Sequence, residues 1–359
     1  MPTAPTSEFS SHVFRLDAAH DHVVLAVNPK AGARCTRHLI EELADRLHAR
    51  KYVAEILTDL DEISARTHEL LAAGRLRTLV GAGGDGTAHE LVNRTRPGVP
   101  LTMFPSGTEN LLAKYIGMKR DPAAVCEAIA DGHAVRLDAG YACSPSDPKN
   151  GRVFLLMADC GFDAEVVRLL HDERDGHISR FTYFKPFVRA LRNYQHPEMR
   201  VECDPESGDG NWRAGSVSAR SNVNTGATAS GNGLSAKPPK LSRWVFVFNL
   251  PCYAQGLRIA PQAVGTDGLL DVCLLRGGSP WHVFKYLFGA LFRCHTKFKD
   301  CETTRVRRMR IEADQPTPYL LDGDPGGMLP LDIELLPERL TLVVPRAWLE
   351  KMSLVGYTE

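Results

Sequence analysis

The sequence lacks the features that assign many chains at once to a class of protein. Its 43 Lys and Arg residues balance 43 Asp and Glu residues, so no excess charge points to nucleic acid or to strong binding of anionic membranes. The nine cysteines are odd in number, scattered, and without a C-x-x-C pair. This usage argues against a disulfide framework and a zinc site, and it is typical of a reducing cytoplasm.

Long apolar runs are also missing. The most apolar helix candidate, Trp281 to Phe292, is interrupted by His282 and Lys285 and is too short to span a bilayer. Residues 1–21 are polar and have no apolar core of signal-peptide type. We therefore expect a cytoplasmic protein without a transmembrane segment. The 359 residues are enough for two domains with separate cores.

The most informative feature that is present is a glycine-rich loop between a strand and a helix. Leu79 and Val80 are typical of a buried strand, the loop Gly81-Ala82-Gly83-Gly84-Asp85-Gly86-Thr87 follows, and a helical pattern begins at Thr87. Glycines let the backbone approach a phosphate, and the free N–H groups of a helix start point at it, so the stretch predicts a phosphate site. Asp85 is unusual there, because a carboxylate repels phosphates unless a divalent cation or a reacting hydroxyl is present. The alternative is that Asp85 only caps a turn.

The order of the expected elements changes near residue 136. Before it, strands alternate with helices in four β-loop-α units, which predicts a doubly wound parallel sheet that binds ligands beyond the carboxyl ends of its strands. After it, many short strands joined by turns predict a mainly antiparallel β-sandwich. The expected segments are a flexible tail (1–20), an α/β domain that binds ATP (21–136), a β-sandwich domain (137–345) with a disordered, Gly- and Ser-rich insertion (204–240), and a C-terminal tail (346–359) that can pack back on the first domain.

Two loops together resemble a known family. Gly83-Gly84-Asp85-Gly86-Thr87, followed by Glu90 and Asn93, is similar to the GGDGT…E…N signature of the diacylglycerol kinase catalytic domain. That superfamily also includes bacterial lipid kinases, sphingosine kinases and ceramide kinases. Pro105-Ser106-Gly107-Thr108-Glu109-Asn110 resembles its second loop, P-x-G-T-x-N, and the resemblance covers about residues 22–345. It implies an NAD kinase/diacylglycerol kinase-like fold with a site in the cleft between two lobes. It also implies an enzyme that uses ATP and Mg²⁺ to phosphorylate a lipid hydroxyl, with diacylglycerol as the first candidate for the lipid.

The resemblance also implies a set of nucleotide contacts. Lys30, in an Asn-Pro-Lys-Ala-Gly element, supplies the positive charge that the glycine loop lacks, and the alternative is an ordinary solvated lysine. Thr58 aligns with a family threonine near the nucleotide, although a threonine at a strand end can also be a simple helix cap. The full set comprises Asn28, Lys30, Thr58, Gly83, Gly84, Asp85, Gly86, Thr87, Glu90, Ser106, Gly107, Thr108 and Asn110.

In the second half the resemblance implies a metal site and a substrate contact. Relatives hold magnesium by a side chain that matches Asp267 and by backbone carbonyls that match Val264 and Leu269. Oxygen ligands of this kind suit Mg²⁺, and a plain Asp-Gly turn before a strand is the alternative. Asp138 falls where the family often has an aspartate that faces the cleft.

The base that deprotonates the lipid hydroxyl is expected to be Asp324 or Asp85. Asp324 matches the position of the family's glutamate but is one methylene shorter, and a base must come within about 2.6–3.2 Å of the proton that it removes, or act through one water. We expect Asp85→Asn to abolish activity with little loss of stability. His89, next to Glu90, is interpreted as a satisfied surface histidine, with a role as a base as the alternative.

A kinase whose acceptor resides in a bilayer needs a surface for peripheral membrane contact. Arg305, Arg307, Arg308 and Arg310 on a strand-like segment, together with the segment Trp281–Phe292, form a candidate membrane edge, and a solvated strand face is the alternative. No nucleic-acid partner is expected, and a homodimer is left open. The rival functions are phosphorylation of a sphingoid base or another lipid, an NAD kinase, and a non-catalytic protein that binds lipid or nucleotide.

Overall fold

The first lobe alternates strands and helices. The computed structural model describes residues 11–28, 33–172, 183–205, 238–253 and 257–355. The elements of the first lobe are β1 (Val13–Arg15), β2 (His22–Val27), α1 (Ala33–Ala49), β3 (Val53–Leu57), α2 (Leu60–Ala72), β4 (Leu76–Gly83), α3 (Asp85–Arg94), β5 (Pro100–Pro105), α4 (Leu111–Tyr115) and α5 (Pro122–Asp131). Four strands form a parallel sheet in the order β3-β2-β4-β5, with α1 packed on α5 and α2 packed on α3.

Local sequence signals explain where several of these helices begin and end. Asp59 caps α2, because its side chain accepts the N–H groups of Asp61 and Glu62 at 3.0 and 2.9 Å. Asp121 caps α5 in the same way and is followed by a proline at the first helical position, and Gly132 ends the helix in a left-handed conformation.

The second lobe is built mainly from antiparallel strands, with a layer of helices. Its elements are β6 (His133–Ser144), β7 (Asp147–Phe154), β8 (Met157–Cys160), α6 (Phe162–Asp172), α7 (Phe184–Asn193), β9 (Met199–Pro205), β10 (Lys240–Ser242), β11 (Trp244–Phe248), β12 (Leu270–Leu275), α8 (Pro280–Leu291), β13 (Cys301–Ala313), β14 (Pro318–Leu321), β15 (Asp324–Met328), β16 (Leu331–Val343) and the final helix α9 (Arg346–Val355). The predicted fold class, a parallel α/β lobe followed by a mainly antiparallel β lobe, is confirmed.

The two lobes share strands. β6 and β16 pair antiparallel over most of their length, and the end of β16 also adds to the first sheet, where Thr341 lies opposite Pro100 in parallel register with β5. The boundary expected at residue 136 therefore falls inside β6. A strand that passes from one lobe to the next shows no break in composition, so the sequence offers no signal for its continuity.

Both chain ends contact the body of the protein within the described ranges. The expectation of a flexible tail is wrong for residues 13–15, because Val13 pairs with Val135 of β6 and the Arg136 guanidinium lies over the Phe14 ring at 4.9 Å. At the other end, Trp348 of α9 is buried and meets the Tyr115 ring of the first lobe edge-on at 5.7 Å. The predicted disordered insertion lies outside the described residues over 206–237.

The described ranges contain no helix with both the length and the apolar character needed to cross a bilayer. Eight cysteines of these ranges are free thiols: Cys126, Cys143, Cys160, Cys203, Cys252, Cys273, Cys294 and Cys301.

Candidate active site

Three loops meet at the carboxyl ends of β2, β4 and β5. The Asn28 amide at the end of β2 donates to the Thr87 hydroxyl, with Nδ2 3.4 Å from Oγ1. The Ser106 N–H, after β5, donates to the Gly83 carbonyl at 3.0 Å. Parallel strands place their carboxyl ends at one edge of the sheet, which explains why three stretches that are distant in sequence lie together.

Glycine is required where these loops touch. A Cβ on Gly107 would lie 2.6 Å from the Gly84 Cα, and a Cβ on Gly83 would lie 2.0 Å from the Thr87 hydroxyl oxygen. Helix α3 starts directly after Gly84, and no side chain of the described residues caps its first N–H groups. These N–H groups are donors of the kind that bind a phosphate.

Asp85 holds the second loop against the first. Its Oδ2 accepts the Leu111 N–H at 2.9 Å and its Oδ1 accepts the Leu112 N–H at 3.0 Å, so the carboxylate caps α4. Asn110 closes the same loop, since its amide accepts from the Gly107 N–H at 2.9 Å and donates to the Gly107 carbonyl at 2.8 Å. Burial raises the pKa of Asp85, and the two backbone hydrogen bonds oppose this shift.

The second lobe brings an acid to the glycine loop. Asp324, in the turn Asp322-Gly323-Asp324 between β14 and β15, is exposed, and its Oδ2 lies 3.3 Å from the position that a Cβ on Gly86 would take. The carboxylate of one lobe therefore faces the loop of the other across the cleft.

Asp322 anchors the turn that carries Asp324, a role that the sequence did not reveal. Its buried carboxylate accepts the N–H groups of Leu155, Leu156 and Met157 at 2.7, 2.7 and 3.1 Å. Its Oδ2 also lies 3.1 Å from His89 Nδ1 on α3. The interpretation of His89 as a surface histidine is wrong, because the inner face of α3 packs against the bend between β7 and β8 and buries the ring.

A second side chain of α3, that of Asn93, also connects this helix to the second lobe. The Asn93 amide donates to the Val153 carbonyl at 2.9 Å and accepts the Val153 N–H at 2.8 Å. Asn93 belongs to the motif quoted above, so its presence was a signal, but nothing in the sequence identified β7 as its partner. His89 and Asn93 together fix α3, and with it the glycine loop, to the second lobe.

Asp138 is buried beneath a second turn, residues 264–269. Its Oδ2 accepts the Gly268 N–H at 3.0 Å and its Oδ1 accepts the Glu338 N–H at 2.8 Å. Burial raises the pKa of Asp138, and these two hydrogen bonds oppose the shift. Both carboxylate oxygens thus hold backbone groups, and a substrate contact by Asp138 stays a prediction.

The 264–269 turn contains the oxygen atoms expected to bind magnesium. Asp267 Oδ1 accepts the Leu269 N–H at 3.1 Å, and its Oδ2 pairs with the Arg305 guanidinium. The described residues contain no cluster of three His, Cys, Asp or Glu side chains suited to a metal, so an ion at this turn would depend on the carbonyls of Val264 and Leu269. One carboxylate and two carbonyls fit the chemistry of Mg²⁺, with Arg305 as a competitor for one carboxylate oxygen.

A buried amide connects this turn to Asp322, the anchor of the turn that carries Asp324. Asn249 Nδ2 donates at 2.8 Å both to the Asp138 carbonyl and to the Leu155 carbonyl. Leu155 is also one of the residues whose N–H binds Asp322. The two acidic turns of the second lobe therefore belong to one hydrogen-bonded network.

Two of the expected nucleotide residues, Glu90 and Thr58, lie away from the loops that meet here. Glu90 pairs with Arg94 on the outer side of α3, next to α2. Thr58 is exposed at the end of the edge strand β3, where Asp59 rather than Thr58 caps the following helix. Thr108 is exposed on the second loop, and Lys30 lies outside the described residues. Their contacts with a nucleotide stay predictions.

Three of the four arginines of β13 are engaged with acids, and the fourth, Arg307, is exposed. Arg305 pairs with Asp267, Arg308 with Asp204 at 3.1 Å, and Arg310 with Asp332 at 2.6 Å. This arrangement agrees with the alternative given above, a charged strand face, and does not support these side chains as the basic part of a membrane edge.

A buried acid, Asp159, lies next to Asp163 in the second lobe. The Asp163 carboxylate accepts the Tyr253 hydroxyl. Burial, and then the charge of Asp163, raises the pKa of Asp159 well above its usual range. Burial also raises the pKa of Tyr183, and the charges of Asp163 and Asp324 add to this shift.

Two family models match the chain. The diacylglycerol kinase catalytic domain matches residues 22–142, and the YegS C-terminal NAD kinase beta sandwich-like domain matches residues 157–344, more than half of the chain. The chain belongs to the diacylglycerol kinase catalytic-domain superfamily. The resemblance stated from its motifs is thereby confirmed, and membership of a kinase superfamily supports a phosphotransferase.

Similar proteins are found over most of the length of the chain. A diacylglycerol kinase of Bacillus subtilis (strain 168) is 22% identical over 357 residues, which cover 98% of this chain and 97% of the relative. A Pseudomonas aeruginosa (strain UCBPP-PA14) protein named probable lipid kinase YegS-like is 26% identical over 329 residues, covering 90% and 95%. The crystal structure of a diacylglycerol kinase from Bacillus anthracis str. Sterne shares the fold, with a TM-score of 0.60, 18% identity and coverage of 92% and 99%.

Proposed function

We propose that this superfamily member is an ATP-dependent lipid kinase that transfers the γ-phosphoryl group of ATP to a lipid hydroxyl, with diacylglycerol as acceptor and phosphatidic acid as product. The observation that carries the proposal is the meeting of Asp324 with Gly86, which places a carboxylate beside the phosphate loop. The lipid acceptor is supported by relatives named as diacylglycerol kinases and as a YegS-like lipid kinase.

In the proposed reaction the nucleotide phosphates lie against two loops, Gly83–Thr87 and Ser106–Asn110, and the N–H groups at the start of α3 bind them. Asp324 accepts the proton of the lipid hydroxyl while the hydroxyl oxygen forms a bond to the γ-phosphorus. The bond from that phosphorus to the β–γ bridging oxygen breaks, and ADP leaves with the electron pair. Asp85 keeps the two loops together, and Lys30 is proposed to balance phosphate charge.

The proposed magnesium ligands are the Asp267 carboxylate and the carbonyls of Val264 and Leu269. Magnesium, when bound, supplies positive charge to a network of acids that reaches the cleft. The contribution of the chain itself is to hold the turn, which Asp138 does through the Gly268 N–H at 3.0 Å.

A cytoplasmic location with peripheral contact to a membrane is part of the proposal, because the acceptor is a bilayer lipid. Phosphoryl transfer from radiolabelled ATP to diacylglycerol, a sphingoid base and NAD, each offered alone, tests it. Label in phosphatidic acid is expected. If only the sphingoid base is labelled, the protein is a lipid kinase whose acceptor is a sphingoid base and not diacylglycerol. Label in NAD alone, or ATP binding in calorimetry without turnover on any acceptor, would overturn the proposal.

A further inference from the structure

Helix α8 has apolar side chains on both of its faces. Val283, Tyr286 and Ala290 are buried against the second lobe. The opposite face is 37–74% exposed and carries no charge, although a surface helix normally presents polar residues there. We call this outer face, at α8 and its C-terminal end, the α8 ridge; it comprises Trp281, Phe284, Leu287, Phe288, Leu291 and Phe292.

The α8 ridge is large for a surface patch. Its four aromatic side chains would each bury roughly 150–250 Å², so at their observed exposure they present on the order of 400–500 Å² of apolar area before the leucines are counted. A patch of this size marks a surface that binds a partner or a membrane.

Basic residues lie beside the ridge. Helix α7 packs beside α8 through the Phe187 and Phe284 rings, whose centroids are 6.5 Å apart, and it carries the exposed Arg192 and no acid. The segment after α8 adds further exposed cations. The flanking cations are Arg192, Arg293, Lys297 and Lys299.

The one acid of the segment that follows α8 is already engaged. Asp300 accepts from Lys285 Nζ at 2.5 Å and from the Tyr286 hydroxyl at 2.6 Å. The surface around the ridge is therefore apolar at its centre and positive at its margins. A helix of this character lies in the interface of a bilayer, with its aromatic face in the acyl boundary and its cations at anionic head groups.

The ridge is also connected to the strand that carries Asp324. Helix α6 packs on β14 and β15 and on α7, and α7 packs beside α8.

We propose that the α8 ridge and its flanking cations dock the protein on an anionic lipid bilayer. The choice of a bilayer rests on the proposed function, whereas the apolar and charged surface stands independently of it. A second copy of the chain fits less well, because a two-fold contact of this face with itself would set cations against cations.

Sedimentation with vesicles of phosphatidylcholine and phosphatidylglycerol, compared with vesicles of phosphatidylcholine alone, tests the proposal. Trp281→Ser with Phe288→Ser is expected to lower partitioning by about tenfold or more, since each buried methylene contributes to binding. Arg192→Gln with Lys297→Gln is expected to lower binding to the anionic vesicles by about fivefold per charge, and to leave binding to neutral vesicles unchanged.

Matched controls lie at the far edge of the sheet. Val53→Ser with Ile56→Ser removes exposed apolar side chains from β3, and Arg46→Gln with Arg50→Gln removes exposed cations from α1 and from the residue that follows it. Both pairs are expected to leave vesicle binding unchanged. The proposal is overturned if the variant with Trp281→Ser and Phe288→Ser (the α8 pair) binds vesicles as the wild type does. It is also overturned if the variant with Val53→Ser and Ile56→Ser loses as much vesicle binding as the α8 pair.

Three further measurements separate membrane docking from self-association and from the proposed kinase activity. Brominated lipid in the vesicles is expected to quench the tryptophan fluorescence of the wild-type protein, and Trp281→Phe is expected to remove most of this quenching. A dimer in vesicle-free solution that the α8 pair converts to monomer would assign the ridge to self-association and overturn docking. Phosphorylation of a short-chain, water-soluble diacylglycerol should survive the α8 changes, and its absence in wild type would count against the kinase proposal without affecting the vesicle result.

Discussion

Replacing Asp324 by asparagine separates the proposed base from the residue that competes for the role, Asp85. The change keeps the size of the side chain and removes its ability to take a proton. Asp324 is exposed beside Gly86, so we expect no measurable change in Tm. A positioned base contributes about 10²–10⁴-fold to a rate, which corresponds to about 3–5 kcal/mol of transition-state stabilisation. We therefore expect kcat to fall by that factor, with KM for ATP unchanged.

Asp85→Asn is expected to act differently, because both oxygens of Asp85 accept backbone N–H groups at the start of α4. The amide nitrogen of asparagine would face one of these donors and lose a capping bond. Such a loss costs about 0.5–2 kcal/mol, or a few degrees in Tm. This replaces the expectation from sequence that stability would hardly change. The displaced second loop should raise KM for ATP.

Steady-state kinetics with ATP and diacylglycerol, with thermal denaturation of the same preparations, tells the two residues apart. Asp324 is not the base if Asp324→Asn retains kcat within a few-fold while Asp85→Asn, still folded and saturated with ATP, loses it. That result would make Asp85 the base. An unchanged Tm of Asp85→Asn would show that the capping bonds of Asp85 contribute little to stability.

Three other changes test the network around the site. Asp322→Asn sets an amide against the Leu155 N–H and should cost about 1–3 kcal/mol in chemical denaturation, with a fall in kcat because the turn that carries the base loses its anchor. Arg305→Gln should tighten Mg²⁺ binding in calorimetry, because the guanidinium no longer competes for Asp267, whereas Asp267→Asn should abolish it. The pKa of Asp159 is raised in the folded protein, so Asp159 stays protonated there while it ionises in the unfolded chain. The free energy of unfolding therefore falls as pH rises above the unfolded pKa of about 4. Asp159→Asn should therefore match wild type at low pH and become the more stable protein as pH increases towards that folded pKa, measured by denaturation across pH, with exposed Asp314→Asn as control.

Helix ends with local signals can be predicted from the sequence. Asp59, Asp121 and Gly132 stand at helix ends because their side chains or backbone freedom satisfy the end groups, and these signals lie within a few residues. The strand β1 was missed because three residues have too little periodicity, and their pairing with β6 joins residues far apart in sequence.

The site divides in the same way. The motif glycines and Asn110 were named from the family resemblance. The bonds between Asn110 and Gly107 are local in sequence, whereas the contact of Gly107 with Gly84 joins two loops. Asp322 was missed because its partners, the N–H groups of Leu155 to Met157, are more than 160 residues away. A buried carboxylate with distant backbone partners has the same sequence signature as an exposed turn acid.

Helix α3 connects the two tasks of the proposed reaction. Its first N–H groups face the position of the phosphates, whereas its inner side chains reach the second lobe, His89 to Asp322 and Asn93 to Val153. A shift of this helix would therefore move the phosphate loop and the turn of the base together. In the proposed reaction this connection would set the distance between the γ-phosphoryl group and Asp324. We infer that it compensates for a side chain one methylene shorter than the glutamate that the family resemblance implies.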